Sequence, residues 1–308
     1  MTQKSTDILQ LCEAWKKAAY KSDGSTQING DSEQFRLLAN DIYFHDLDSK
    51  DLQDACVGLT SVLLLKGMNT FIVEDHYYFW AWVAQVMLYR GTEYFDDNEA
   101  DIRELFSTCI SASLARIGNS KGDDGIIDIN GRELVLKGNL ILAHLSFPLL
   151  EAILKKTCQY YVDYSGKVLN DFQINKEGQV IQYVTHGKGK KSVSSLGDLL
   201  TLLYNNASQN LRDRLDSIRS HISEIDDSID PFYVIYRWRN HSLHGQQSYP
   251  TIGGTVLNIA IAIALDEIGE KYDKMRGAIW KKVQRNMSFQ SLGPTPYRIP
   301  GNYYPPFL

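Results

Sequence analysis

No two cysteines in this chain stand as Cys-x-x-Cys; Cys12, Cys56, Cys109 and Cys158 are scattered, each in a helix-like stretch. That argues against cysteine-based zinc and redox motifs and predicts reduced, mostly buried thiols, as in a cytoplasmic protein. The histidines lack ligand spacing too: His45, His76, His144 and His186 have no partner at a zinc interval, so neither a structural metal nor a metal cofactor is expected. There is no Gly-x-Ser-x-Gly elbow, no dinucleotide fingerprint and no repeat at a fixed period, so no other cofactor is expected either. Long apolar runs are also missing. The longest, Ile259 to Leu265 with its neighbours, reads as too short to span a bilayer, and no basic-plus-apolar leader opens the chain. A membrane partner and secretion are therefore not expected. Positive charge is not in excess: a net charge of −5 and a pI near 5.8 argue against nucleic-acid binding over a broad surface. A locally basic site remains open.

What the chain does have is helical periodicity. Its 308 residues, 44% hydrophobic and 22% charged, suffice for one large or two ordinary domains. Ile8, Leu11, Cys12, Trp15 and Ala19 mark one side of an amphipathic helix over 5–21. A second helix is expected from Ser32 to about Asp46. A third, capped at Asp48-Ser49, should run to about Gly67. The aromatic stretch from Val73 to Arg90 and the segment from Asp97 to Ile117 read as two more. Gly118 to Gly131 is the expected boundary, although Ile126 to Asn130 would also suit a short strand entering an Asn-Gly turn. Beyond it, a helix is expected from Glu133 to Tyr164 with a kink at Pro148. Phe172–Ile174 and Val180–Val184 predict a β-hairpin, followed by the basic loop Gly187 to Lys191. Helices at 195–206, 208–224 and 229–244 follow, then one long helix from Ile252 to about Asn286. The fold class is therefore all-α, with a helical N-terminal domain over 1–125 and a helical bundle carrying a small inserted β-hairpin over 126–290. The Pro- and aromatic-rich tail, 291–308, is expected to lie extended.

The densest chemistry is in Tyr236-Arg237-Trp238-Arg239-Asn240-His241-Ser242-Leu243-His244-Gly245. Two guanidinium groups, an amide and two imidazoles fall within nine residues. Arginine forks onto phosphate oxygens, and histidine gives or takes a proton near neutral pH. Together they can cleave an RNA phosphodiester without metal, an imidazole activating the 2′-OH while a guanidinium holds the charge that builds on phosphorus. On a regular helix Arg237, Asn240, His241 and His244 share a face. Arg239 lies about 140° round from His244, so a helix does not bring that pair together unaided. The plainer explanation is a polar last helical turn whose Arg and His complement the helix dipole before a glycine. Spacing alone is cheap: Arg214 and His221 show a similar interval inside a charged helix face.

Arg239-Asn240-x-x-x-His244-Gly245, after the apolar run Phe232 to Tyr236, resembles the signature of the HEPN superfamily. Those are small all-α domains, many of them metal-independent endoribonucleases. Leu149 to Lys156 resembles the family's earlier long helix, which often carries an acidic residue, here Glu151. Ser194 to Leu200 resembles the short helix that follows it. The resemblance covers residues from about 132 to 285. It implies His244 as general base or acid, Arg239 as phosphate clamp and Asn240 as the orienting group. Arg237 and His241 would be secondary contacts. It also implies RNA as substrate, a homodimer in which both motifs face one cleft, and a toxin or antiphage role with a protein regulator or antitoxin. The N-terminal domain would then sense a trigger, restrain activity or support the dimer. Members paired with nucleotidyltransferase antitoxins carry a Tyr two residues after the His; here Gln246 stands there, a departure from that arrangement.

Lys188 and Lys190 belong to Gly187-x-Gly-Lys-Lys, which lacks the spacer and Ser/Thr of a phosphate loop but suits a mobile electrostatic guide for an RNA backbone. Asp96 to Asp101 reads as a helix N-terminus rather than a calcium loop. Two other readings stay open. One is a non-catalytic HEPN scaffold binding RNA, a nucleotide or a protein. The other is a structural helical protein whose motif is only a capped helix end.

Overall fold

The computed structural model describes residues 3–19, 30–64, 73–114, 138–176, 178–244 and 250–290. The expected boundary at 118–131, the short strand at 126–130 and the tail at 291–308 lie outside them. Helix α1, Gln3–Ala19, turns Ile8, Cys12, Trp15 and Ala19 inward against α3, Ser49–Leu63. Asp48 caps α3, its carboxylate accepting from the N–H of Asp51 at 2.8 Å. Between them the helix expected from Ser32 to Asp46 does not form. Only a turn, α2 at Gly30–Glu33, and two one-turn 3₁₀ segments, Leu38–Asn40 and Phe44–Asp46, occur there. The buried carboxylate of Asp75 takes the Leu37 N–H at 2.7 Å, and Asp41 adopts a left-handed φ of 56° that stops propagation. A tertiary contact overrides local propensity.

Most of the rest follows the sequence pattern, but the helix expected to reach Tyr164 ends at Thr157, because the chain turns there and Val162 pairs with Val168. Helices α4 (Glu74–Met87), α5 (Ala100–Leu114) and α6 (Gly138–Thr157, with Pro148 inside it) precede the hairpin. Strands β1 (Phe172–Lys176) and β2 (Gln179–Tyr183) pair antiparallel with Ile174 opposite Ile181, turning at Gly178, whose φ of 82° suits glycine. Helices α7 (Leu196–Asn206), α8 (Gln209–Ile225), α9 (Pro231–Leu243), α10 (Pro250–Ile268) and α11 (Glu270–Gln290) complete the chain. The protein is all-α with a small inserted β-hairpin. The single final helix expected from Ile252 is two, because Gly269 turns left-handed at φ 48° between α10 and α11.

Helix α10 organises the core. It packs against α6, α3 and α8, so its apolar residues are buried nearly all round. By length and composition Thr251–Ile268 would cross a membrane, a longer apolar stretch than the sequence reading recognised, but 83% of it is buried inside the fold. Its contacts belong to one hydrophobic cluster that includes buried residues from α1, α3 and α4 as well as from α6 to α9. The four cysteines are free and buried, and burial pushes the Cys109 and Cys158 thiols up to about 12, which leaves them unreactive.

At the centre sits one polar residue, Asn258, with no exposed surface. Its amide oxygen accepts from the Trp80 indole at 2.7 Å and its amide nitrogen donates to the Thr60 hydroxyl at 3.0 Å. The Cys56 thiol donates to its carbonyl. These bonds tie α3 and α4 to α10. Asn258→Ala is expected to lower unfolding free energy by about 2 kcal/mol, since it strands the buried Trp80 N–H. Urea titration would show the effect as a lower midpoint at unchanged slope, and an unmoved midpoint would refute this role.

Candidate functional site

The motif helix α9 starts where the sequence dictates. Asp230 is the N-cap, its carboxylate accepting from the Phe232 N–H at 2.9 Å, and Pro231 occupies the first turn. Arg219 of α8 holds the other Asp230 oxygen at 2.7 Å. Phe232, Val234 and Ile235 fill the core, while Arg237 through His241 are only half-buried. The helix ends with His244 as C-cap, exposed to solvent, its N–H donating to the Asn240 carbonyl at 3.1 Å. The Gly245 that should stop it lies outside the described residues.

Antiparallel crossing of α9 over α6 sets the polar contacts. Arg239 reaches across to Glu151, Nη2 to Oε2 at 3.3 Å. The other Glu151 oxygen accepts from Lys155 at 2.8 Å. One carboxylate is thus shared by two cations, and the triad keeps a net positive charge. A single long contact leaves most of the guanidinium fork uncommitted to Glu151. Three residues on, the Ser242 hydroxyl lies 3.4 Å from His144 Nδ1 and 3.5 Å from the Ala143 carbonyl. His144 is therefore a third imidazole at this site, which the sequence reading had not placed there. Its signal was present: seven residues before Glu151, it shares that helix face.

Not every expected residue joins them. Arg237 is committed elsewhere, ion-paired with Asp226 and donating to the Ser228 hydroxyl at 3.3 Å. No hydrogen bond among the described residues links Arg239 to His244, in keeping with their angular separation on α9. Asn240 and His241 sit on the half-buried surface between them.

Compared with family models, curated proteins and solved structures, the chain matches none. The geometry of the site must carry the reading alone.

The basic loop is at the wrong end of α9 for that site. Lys190 lies over the Tyr183 ring, 5.4 Å from its centroid, and 4.0 Å from Asp198. Asp198 is buried and accepts from the hydroxyls of Tyr183 and Tyr233, which fastens the hairpin and α7 to the first turn of α9. Burial and the Asp198 charge push both phenols up. Tyr233 and His244 are eleven residues apart, or about 16 Å along a helix at roughly 1.5 Å per residue. Lys188, exposed in the same loop, shares that placement. Leu243, next to His244, is apolar and 56% exposed, and on α6 Leu140 and Ile141, one turn before His144, are 39% and 44% exposed.

Proposed function

We propose that the protein is a metal-independent endoribonuclease of HEPN type, cleaving RNA by attack of the ribose 2′-OH at a site completed across a homodimer. The observation that carries this reading is the pair of groups on α9: a solvent-exposed imidazole at His244 and a partly uncommitted guanidinium at Arg239. His244 would take the 2′-OH proton and return one to the leaving 5′-oxygen, and Arg239 would hold the phosphate. Asn240 would orient the imidazole or the ribose, with His241 and His144 as further contacts. Because the two groups diverge on one helix, one protomer's His244 and its partner's Arg239 would serve the same phosphate. The exposed Leu140, Ile141 and Leu243 support that pairing, since they offer apolar surface beside the motif; a stable dimer buries about 800 Å² per partner. A toxin or antiphage role, with a protein regulator or antitoxin and the N-terminal part restraining activity, extends the same reading.

The test is complementation on RNA. Wild type should yield 2′,3′-cyclic phosphate ends, with no loss on adding EDTA. Mixed His244→Ala and Arg239→Ala protomers should regain activity that neither has alone, because a heterodimer holds one intact shared site. No recovery on mixing would overturn the shared site. A second reading, a non-catalytic HEPN scaffold binding RNA, a nucleotide or a protein, is favoured by the Arg239–Glu151 ion pair, which suits a purely structural arginine. It predicts no cleavage of any RNA by wild type.

A further inference from the structure

A second concavity lies away from the motif. A cavity of about 450 Å³ opens between α1, α3 and α8 and shares no residue with the α9 site. That volume lies in the range of small-molecule sites, about 300–1,000 Å³. Its lining mixes apolar Leu9 and Val57 with Lys50, Asp54, Arg214 and His221. In the sequence Arg214 and His221 looked like a chance echo of the motif; the fold puts both on this wall.

The charges decide what would enter. Two of the acidic groups on the wall are ion-paired within the protein: Asp54 with Arg214 at 3.1 Å, and Glu13 with Lys16 and Lys17 at 3.7 Å each; Asp213 accepts from the neutral Gln209 amide at 2.6 Å. Of the basic groups, Arg214 is met only in part and Lys50 by no ion pair. Lys50 is half-buried and has no ion pair among the described residues. Arg214 is 5% exposed and spends its two outer nitrogens on Asp54 and on the carbonyls of Asn210 and Lys50, while its buried Nε–H has no acceptor. A buried donor without an acceptor is costly, so an anionic oxygen that reached the Arg214 Nε–H would be favoured there, with the Lys50 ammonium on the same wall.

We propose that this cavity is a binding site for a small organic anion, a carboxylate or phosphate monoester whose charge meets Lys50 and Arg214 and whose apolar body packs on Leu9 and Val57. The site lies beyond the RNA-cleavage reading and stands or falls separately from it.

Calorimetric titration of the wild-type protein in the absence of RNA tests it. The probes are phenyl phosphate, benzoate, inorganic phosphate and benzylamine. One of the two aromatic anions should bind saturably at about millimolar or lower Kd, and which one does so distinguishes the phosphate from the carboxylate source. Inorganic phosphate, lacking the apolar body, should bind more weakly. Lys50→Ala should weaken the anion by about tenfold and Lys50→Glu should abolish it, as removal and reversal of a charged hydrogen-bond partner require. Lys50 is chosen because removing Arg214 would strand the buried Asp54. Preference for benzylamine, no saturable anion binding, or affinity unchanged in both Lys50 variants would each overturn the proposal.

Discussion

His244→Ala is expected to lower the rate of RNA cleavage by about 10²–10⁴-fold, the usual contribution of a positioned proton-transfer group. The fold should be left nearly intact, because His244 is the exposed C-cap of α9 and its side chain fills no part of the core. Its backbone N–H bond to Asn240 survives the substitution. Loss of rate without loss of melting temperature is therefore the signature of the nuclease reading; a lowered melting temperature instead would favour the capped-helix reading. Arg239→Lys should retain part of the activity of wild type, and Arg239→Ala much less, because an ammonium supplies charge but cannot fork onto two phosphate oxygens. His221→Ala serves as the comparison. It sits on α8 beside the separate cavity and should leave cleavage unchanged. Wild-type cleavage that survives His244→Ala, or that disappears with EDTA, would mean that other residues or other chemistry are at work.

The elements that local sequence specifies were the ones legible in advance. Asp48, Ser195, Ser208 and Asp230 each cap a helix start, and the hairpin alternation placed β2 within a residue and β1 two residues short at its end. Where the reading went astray, a distant group had intervened. Asp75 captured the Leu37 N–H thirty-eight positions away and dissolved the helix expected at 32–46. Gly269 falls inside the single helix expected from Ile252 to about Asn286, yet it is a left-handed break. At the site, spacing along α9 put Arg237 with His244, but it could not show that Asp226 would claim Arg237 or that Arg239 would turn toward α6. His144 was weighed only for zinc spacing in the sequence. Its place opposite Ser242 depends on a helix crossing that no local pattern encodes.

Stability should fall as pH is lowered from 6.5 toward 4, and His76 should be a principal cause. Its ring is wholly buried in the first turn of α4. Nδ1 accepts from the Val73 N–H at 3.1 Å, so Nε2 carries the hydrogen and donates to the Leu59 carbonyl at 2.9 Å. A second proton would have to go on Nδ1, facing a backbone donor, and the cation would be buried without a counterion. Burial accordingly lowers the His76 pKa to about 4. Between that value and about 6.5, the unfolded chain binds a proton that the folded protein refuses. Folding is thus fully supported above 6.5 and progressively penalised below it, by up to about 3 kcal/mol at the lower end of the window. His45 and His221, also depressed by burial, act in the same direction, whereas buried Asp75, its pKa raised chiefly by desolvation, opposes them. Isolating His76 therefore needs a variant. Urea unfolding of wild type should show a loss of about 2 kcal/mol between pH 7.5 and pH 5. His76→Gln cannot titrate; it should start less stable at pH 7.5 and lose distinctly less over the same interval. An equal loss in both proteins would show that the acid sensitivity arises elsewhere.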